Sequence, residues 1–175
     1  MRLAAADEFA DRLEQDEYDD RAVQILGRDG TRVIATCRLV LPMPDRPLPM
    51  EAEFALRSAE IGSVIELGRV VVDPSYRGDG HSVLMGLAGQ AWRSMRARGF
   101  TRAIGATPMR LIQLFDALGF TVTRLGPPRL YWGEERYPIL CEGKPAIPEI
   151  ERRWIAGEAG TPPATDRADR ENRNQ

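Results

Sequence analysis

The stretch V-I-E-L-G-R-V-V-V-D-P-S-Y-R-G-D-G-H-S-V-L-M-G-L, residues 64–87, determines the predicted fold. Its first part, Val64–Val72, is rich in β-branched residues, which favour a buried strand. Pro74 ends that strand because proline has no N–H to donate to a ladder. From Ser82 apolar residues recur every three or four positions until Gly99, which predicts an amphipathic helix. The stretch therefore predicts a strand, a tight turn and a helix.

The turn between this strand and helix has the composition of an anion-binding loop. The first N–H groups of a helix lack partners within the helix, and the helix dipole favours negative charge there. Arg77 adds a cation that can hold phosphate through two parallel hydrogen bonds, and the glycines allow close approach of a ligand. The alternative is an ordinary strand-to-helix turn with two structural glycines, because short glycine motifs are weak signals.

Length and charge limit the classes of function. A chain of 175 residues suits one domain, and its net charge of −2 gives no reason to expect nucleic acid or an anionic membrane as partner. Cys37 and Cys141 lack Cys-x-x-Cys spacing and predict reduced thiols in a cytosolic protein. One histidine, His81, is too little for a histidine metal site or a Ser-His-Asp triad, so no metal is expected. No apolar run approaches the ~20 residues of a transmembrane helix.

The remaining pattern alternates strands and helices, as in an α/β fold. The strand at Thr101–Ala106 should pair in parallel with the first strand, by the usual handedness of such units. Residues 157–175 are polar and charged, which predicts a disordered tail. The other predicted elements are a helix at Leu3–Leu13, a hairpin of strands at Arg21–Arg28 and Thr31–Leu41, a helix at Met50–Arg57, a helix from Pro108 to Gly119, and strands at Phe120–Leu125 and Leu130–Cys141.

Two motifs resemble the GNAT acyltransferase superfamily. Y-R-G-D-G-H-S resembles its pyrophosphate loop, Arg/Gln-x-x-Gly-x-Gly/Ala, with Arg77, Gly80 and Ser82 on the motif positions. Ser82 replaces the final Gly/Ala, and His81 stands where an apolar residue is usual. R-L-I-Q-L-F-D-A-L-G-F resembles the family's later helix. The resemblance implies a single GNAT-like domain over residues 1–156, with a central mixed, twisted sheet between helices in three layers.

Further segments resemble two branches of that fold, the acyl-homoserine-lactone (autoinducer) synthases and the bacterial long-chain N-acyl amino acid synthases. E-L-G-R, from Glu66 to Arg69, resembles their Glu-x-x-Arg signature, and E-Q-D-E-Y-D places Asp16 and Asp19 on two characteristic acids. C-R-L-V-L-P, with Arg38, resembles their Arg-Leu-Leu-Pro strand, and R-L-G-P-P-R-L-Y-W-G-E-E-R-Y-P resembles their late hairpin. The resemblance covers residues 14–141. Those enzymes begin with a further strand and helices, and we expect this chain to start inside that region.

The resemblance implies transfer of an acyl group from a thioester to an amine, with Glu66 and Arg69 as catalytic residues. Glu66 would take the proton of the amine, directly or through a water, because burial in an apolar strand raises a carboxyl pKa into a useful range. The alternative is a Glu66 that pairs with Arg69 or Arg38 and has no catalytic task. Gly68 is expected to mark a bulge that opens a cleft, and backbone N–H groups near Val71 and Val72 would meet the oxyanion.

Donor and acceptor sites follow from the same resemblance. We expect no tightly bound cofactor; the donor is acyl-CoA or the acyl phosphopantetheine of acyl carrier protein. Its phosphates would be held by Arg77, Gly78, Asp79, Gly80, His81 and Ser82, although His81 is more simply a solvent-side turn residue. Asp16, Asp19, Arg38 and Arg69 would form an ion-paired network that shapes the acceptor pocket.

The nature of the acyl group and of the acceptor depends on two departures from family patterns. Acetyltransferases usually protonate the leaving thiolate with a tyrosine of the later helix; Phe115 at that position has no proton to give and is expected to contact substrate. Gly68 replaces the serine usual in autoinducer synthases, which favours the N-acyl amino acid branch. Apolar helix faces would line an acyl tunnel or form simple core. The rival functions are an ordinary acetyl-CoA-dependent N-acetyltransferase and a non-catalytic GNAT-like binding module.

Overall fold

The described residues of the computed structural model, 14–77, 82–117 and 120–143, form one sheet flanked by helices. The strands pair in the order β1-β2-β3-β4-β7-β5, and β6 pairs with β7. Strand bounds are β1 (Ala22–Asp29), β2 (Arg32–Val40), β3 (Ile65–Val72), β4 (Arg102–Thr107), β5 (Phe120–Arg124), β6 (Arg129–Tyr131) and β7 (Glu134–Gly143). Helix bounds are α1 (Pro49–Phe54), α2 (Ser58–Ile61), α3 (Ser82–Arg96) and α4 (Met109–Ala117). The predicted mixed α/β class with a central mixed sheet is confirmed.

The local patterns of the sequence match most of these elements. β1 and β2 form the predicted antiparallel hairpin, with Gly30 at a φ of 56° in its turn. β3 and β4 pair in parallel and are connected through α3, as the strand–helix–strand pattern predicts. The predicted helix at residues 3–13, the turn at 78–81, the end of the later helix at 118–119 and the tail at 157–175 lie outside the described residues. Among the described helices none has the length and apolarity that a membrane crossing requires.

The two faces of the sheet carry separate apolar clusters. On one face, Ile65 packs with Leu87 and Trp92 of α3, and on the other, Val64 packs with Met50 and Phe54 of α1. Because side chains alternate along a strand, the neighbour of Ile65 on β3 faces α1. The sheet therefore separates an α3 side from an α1 side, and the strand positions decide which side each functional residue reaches.

A β-bulge at Arg69 changes this alternation within β3. Thr36 pairs with Val71 and Arg38 with Gly68, so two steps on β2 correspond to three on β3. Arg69 has a φ of 49°, a left-handed conformation that is uncommon outside glycine. In a regular strand Arg69 would face the α3 side. The extra residue turns Val70 to that side instead, where it packs against the apolar cluster. The predicted bulge is present, one residue after Gly68.

β3 and β4 are paired over only two positions, and this short pairing opens the sheet. The pairs are Ile65 with Ala103 and Glu66 with Ile104. Gly105 follows at the last close approach, where a Cβ would lie 2.7 Å from the carbonyl oxygen of Leu67. The two strands continue beyond this point without pairing to each other. A cleft therefore begins beside Leu67 and Gly105.

Gly105→Ala tests whether this close approach is required for the fold. We expect the free energy of unfolding to fall by about 1–3 kcal/mol, because the new methyl group must displace backbone inside the sheet. Chemical denaturation measures the change. Gly126→Ala is the matched control, since its Cβ would meet Pro138 at an ordinary 3.6 Å. Equal stability of Gly105→Ala and the wild type would contradict a tight contact between β3 and β4.

Candidate active site

A cavity of about 390 Å³ occupies the cleft between β3 and β4 and reaches both sides of the sheet. Its α1-side wall is largely polar, with charged side chains from β2, β3, β7 and the segment before β1. Its α3-side wall is apolar. The α1-side wall includes Glu14, Asp16, Tyr18, Arg38, Met50, Glu53, Glu66, Arg69, Tyr131 and Arg136, and the α3-side wall includes Ala88, Ala91, Trp92, Met95, Phe115, Phe120 and Cys141.

The space beside each wall is called here the α1-side or α3-side compartment of the cavity. Glu66 lies where the two compartments meet. It follows Ile65 on β3, so its side chain points to the α1 side, where only 5% of it is exposed. One carboxylate oxygen, Oε2, accepts a hydrogen bond of 2.8 Å from the backbone N–H of Met50. Burial raises the pKa of Glu66 to about 7, although the Met50 N–H and the charge of Arg38 oppose that rise. A carboxyl group with this pKa exchanges protons near neutral pH.

The loop before α1 places Met50 against Glu66. The buried Arg21 donates hydrogen bonds to the carbonyl of Arg46 at 3.0 Å and to that of Pro47. Glu51 accepts a bond of 2.7 Å from the N–H of Leu48, closing the first turn of the helix. These contacts fix the entry of α1, so the Met50 N–H has a defined direction. The contribution of Met50 was not predicted, because a proline-rich loop carries no pattern that indicates its partner.

Arg38 and Arg69 join the acidic segment before β1 in one ion-paired network. Arg38, which is 5% exposed, contacts Asp16 and Asp19 at 2.7 Å each. Arg69 contacts Asp16 at 2.8 Å, Asp19 at 3.4 Å and Glu14 at 2.7 Å. Burial alone would raise the pKa of Asp19, but hydrogen bonds from the Asp16 N–H and from Arg38 outweigh it and lower that pKa. The four residues predicted to form a network are thus in contact.

The aspartates of this network, and not Glu66, accept the hydrogen bonds of the two arginines. Within the described residues, neither Arg38 nor Arg69 forms a salt bridge with Glu66. Arg38 lies close enough for its charge to lower the pKa of Glu66, but its hydrogen bonds go to Asp16 and Asp19. The alternative interpretation of Glu66, as a partner of Arg69 or Arg38 with no catalytic task, therefore has no direct ion pair in its support, although the charge of Arg38 acts on Glu66.

The predicted oxyanion donors differ in direction. Asp73 donates its N–H to the carbonyl of Ile34 at 2.8 Å. In an antiparallel ladder, residues face the partner strand alternately, so the N–H of Val71 also points to β2 and that of Val72 points away from it. Only Val72 of the two therefore has an N–H directed to the side of β4. Its role toward an oxyanion stays a prediction.

The predicted phosphate site is described at its two ends. Arg77 is exposed, and its Nε donates to the carbonyl of Val72 at 2.7 Å, so the guanidinium is tied to the end of β3. Ser82 begins α3. Gly78, Asp79, Gly80 and His81 lie between them and outside the described residues. A hold on phosphate by this turn stays a prediction.

Aromatic side chains close the α3-side compartment. Phe120 contacts Trp92 edge to face with ring centres 5.7 Å apart, and Phe115 contacts Phe120 at 6.3 Å. These rings pack in the apolar cluster and also line the cavity. The same side chains therefore belong to the core and to the cavity wall, and their role as an acyl tunnel stays a prediction. Cys141 lines the same wall as a free thiol, whose pKa burial raises to about 12.

Comparisons with known proteins agree with this architecture. Residues 1–87 match the model of the acetyltransferase (GNAT) domain. The chain has the GNAT fold. Its structure is similar to that of a CoA-dependent acyl-homoserine lactone synthase, BjaI, with SAM and isopentyl-CoA: the TM-score is 0.67 at 22% identity, covering 82% of this chain and 70% of that chain. No curated protein sequence matches significantly.

Two more solved structures are similar to this chain in fold. The CoA-dependent acyl-homoserine lactone synthase MesI has a TM-score of 0.69 at 21% identity, covering 91% of this chain and 80% of that chain. FeeM, an N-acyl amino acid synthase from uncultured soil microbes, has a TM-score of 0.55 at 16% identity, covering 75% of this chain and 76% of that chain. The resemblance to both branches that the motifs indicated is confirmed at the level of the fold.

Burial of Glu66 makes stability depend on pH. Its pKa is about 7 in the folded protein and near 4.5 when solvated. Between pH 4.5 and about pH 7 the unfolded chain binds fewer protons than the folded protein. The free energy of unfolding therefore falls as pH rises through this window. Glu66→Gln removes this loss and keeps an acceptor for Met50. We expect the free energy of unfolding of the variant, relative to that of the wild type, to increase by about 2–3 kcal/mol from pH 4 to pH 8.

Chemical denaturation at a series of pH values measures this gain. Glu60→Gln is the control, because that side chain is 70% exposed and remains in water in both states. A gain for Glu66→Gln no larger than the control's would show that Glu66 is not strongly desolvated in the folded protein.

Proposed function

We propose that this protein is an N-acyltransferase that moves a medium or long acyl group from a thioester to the amine of an amino acid or of S-adenosylmethionine. The product would be an N-acyl amino acid or, from S-adenosylmethionine, an acyl-homoserine lactone. The lactone would form when the carboxylate of the acylated acceptor attacks the carbon bound to the sulfonium sulfur and releases methylthioadenosine. The observation that carries the proposal is the two-sided cavity, with an apolar compartment on the α3 side and a charged one on the α1 side. Glu66 lies at the boundary, where acyl group and amine must meet.

The geometry supports a direct transfer. The donor would enter along α3 with its phosphates at Arg77 and Ser82, and its acyl chain would lie between Trp92 and Phe115. The amine would approach from the α1 side and attack the thioester carbonyl, while Glu66 takes its proton directly or through a water. The Val72 N–H would meet the oxyanion. The C–S bond then breaks, and the thiolate takes up a proton from solvent.

The ion-paired network would give the acceptor compartment its shape. Asp16 and Asp19 each pair with Arg38 at 2.7 Å, and Asp16 pairs with Arg69 at 2.8 Å. The segment before β1 is thereby attached to β2 and β3 at the rim of the cavity. Arg69 would act in the reaction by placing this segment beside Glu66. Phe115 has no part in proton transfer.

Similar solved proteins support the class of donor and acceptor. BjaI is described with SAM and isopentyl-CoA, and FeeM as an N-acyl amino acid synthase. Acyl-CoA is accordingly our first choice of donor, and acyl carrier protein is the second. Two free cysteines suit the reducing cytosol as the site of action.

A donor panel tests the proposal. The protein is incubated with acetyl-, octanoyl- and dodecanoyl-CoA, and with the same acyl groups on carrier protein, in the presence of mixed amino acids and S-adenosylmethionine. We expect N-acyl products from the longer donors in preference to acetyl, because each buried CH₂ contributes about 0.8 kcal/mol. Mass spectrometry identifies the products. Acetyl as best donor would indicate an ordinary acetyltransferase, and no transfer from any donor would indicate a non-catalytic module.

Glu66→Gln tests the base. We expect kcat/KM to fall by about 10²-fold or more, because loss of a positioned general base removes that order of rate. In the wild type, kcat/KM should rise with pH through about 7, where Glu66 loses its proton. Glu60→Gln, remote from the cavity lining, serves as control. Near-normal turnover in Glu66→Gln would exclude Glu66 as the base.

A further inference from the structure

Arg136 reaches the same compartment as Glu66 from a different strand. It lies on β7 four residues before Leu140, which packs with Met50 and Phe54 on the α1 side. Residues an even number apart on a strand share a face, so Arg136 also faces the α1 side. Its side chain lines the cavity and is only 16% exposed. It therefore lies in the acceptor compartment.

Arg136 forms ion pairs with fewer carboxylates than the other two arginines of the cavity wall. Arg38 and Arg69 together contact three carboxylates, those of Glu14, Asp16 and Asp19. Arg136 contacts one, Glu134, at 2.9 Å. Glu134 also holds Arg110 at 3.0 Å, so two cations share one anion at this end of the compartment. Glu53 and Glu66 also line this compartment, but neither forms a salt bridge with Arg136 within the described residues.

Part of the Arg136 guanidinium also lacks a partner. Its Nη2 donates to Glu134, and its buried Nε makes no hydrogen bond within the described residues, as is also the case for the Nε of Arg38. The side chain lines the cavity, and a planar guanidinium suits a carboxylate well. Arg136 therefore has both the charge and the donors to bind a carboxylate.

Glu66 and Arg136 are close enough to act on one side chain. Tyr131, the last residue of β6, lines the cavity. Burial is the chief cause of its raised pKa. The charge of Glu66 adds to that rise, and the charge of Arg136 opposes it. Glu66 and Arg136 thus line one compartment on either side of a shared neighbour.

We propose that Arg136 binds the α-carboxylate of the acceptor and so presents its α-amine to Glu66. This inference rests on the proposed function and names the residue that would recognise a carboxylate on the carbon next to the acceptor amine. Amino acids and S-adenosylmethionine both have that arrangement. Amines without the carboxylate would leave Arg136 incompletely paired and would bind poorly.

Calorimetric titration tests the proposal without requiring turnover. The wild type is titrated with S-adenosylmethionine and its decarboxylated analogue, and with each amino acid and the amide of any that binds. We expect the carboxylate form to bind at least about tenfold more tightly, since a charge-assisted hydrogen bond contributes that order of affinity. Arg136→Gln should lose this preference while leaving the affinity for the amide or decarboxylated form unchanged, and Arg136→Lys should keep part of it.

Arg110→Gln is the matched control. Arg110 pairs with the same Glu134, but it is 63% exposed and does not line the cavity, so the carboxylate preference should persist. Melting temperatures show whether each variant is folded. Equal binding of the acid and amide forms, binding of no acid form at all, or a preference unaffected by Arg136→Gln would overturn the proposal.

Acyl transfer measured with the same ligands separates this inference from the proposed function. A carboxylate preference that depends on Arg136 but is accompanied by no transfer would support the binding site and reject the enzyme. Transfer to acid and amide forms at equal efficiency would support the enzyme and reject the role of Arg136.

Discussion

The short pairing of β3 with β4 is the constraint on which the site depends. Backbone N–H and C=O groups inside a sheet normally bond to the neighbouring strand. Here only Ile65 and Glu66 pair across, and beyond Gly105 the two strands expose groups to the cavity. The bulge at Arg69 allows β3 to keep its pairing with β2 while its direction changes. Backbone N–H groups that are not used in the ladder between β3 and β4 can therefore bind a ligand in the cavity.

Alternation of side chains then divides the cavity chemically. β3 places Ile65 and Leu67 on the α3 side and Glu66 on the α1 side. The bulge lets Arg69 join the acidic segment on the α1 side, and Val70 returns to the α3 side. A single strand therefore supplies an apolar wall to one compartment and charged groups to the other. This explains how a chain with a net charge near zero builds a strongly charged pocket beside an apolar one.

Local patterns were sufficient for most of the fold but only part of the site. The strand before Pro74, the helix from Ser82 and the hairpin at Gly30 follow from propensity and turn chemistry, and they were predicted. The acidic segment and its arginine partners were found through resemblance to family motifs. Arg136 and Met50 were missed because their proximity to Glu66 results from sheet order and from the path of a loop. Neither is encoded in a spacing. Gly105 carried a signal, an isolated glycine in a buried strand, which marks close backbone approach.

The network of acids and arginines has a consequence for Glu66 that its own contacts do not reveal. An arginine bonded directly to Glu66 would stabilise the carboxylate and lower its pKa, which would make it a weak base. Asp16 and Asp19 occupy Arg38 and Arg69, so Glu66 keeps a single backbone hydrogen bond and a pKa of about 7. The arginines can thus shape the pocket without lowering the pKa that the proposed role of Glu66 as a base requires. Because Arg136 has fewer acidic partners than Arg38 and Arg69, it is the cation of the compartment with capacity to bind an anionic substrate group.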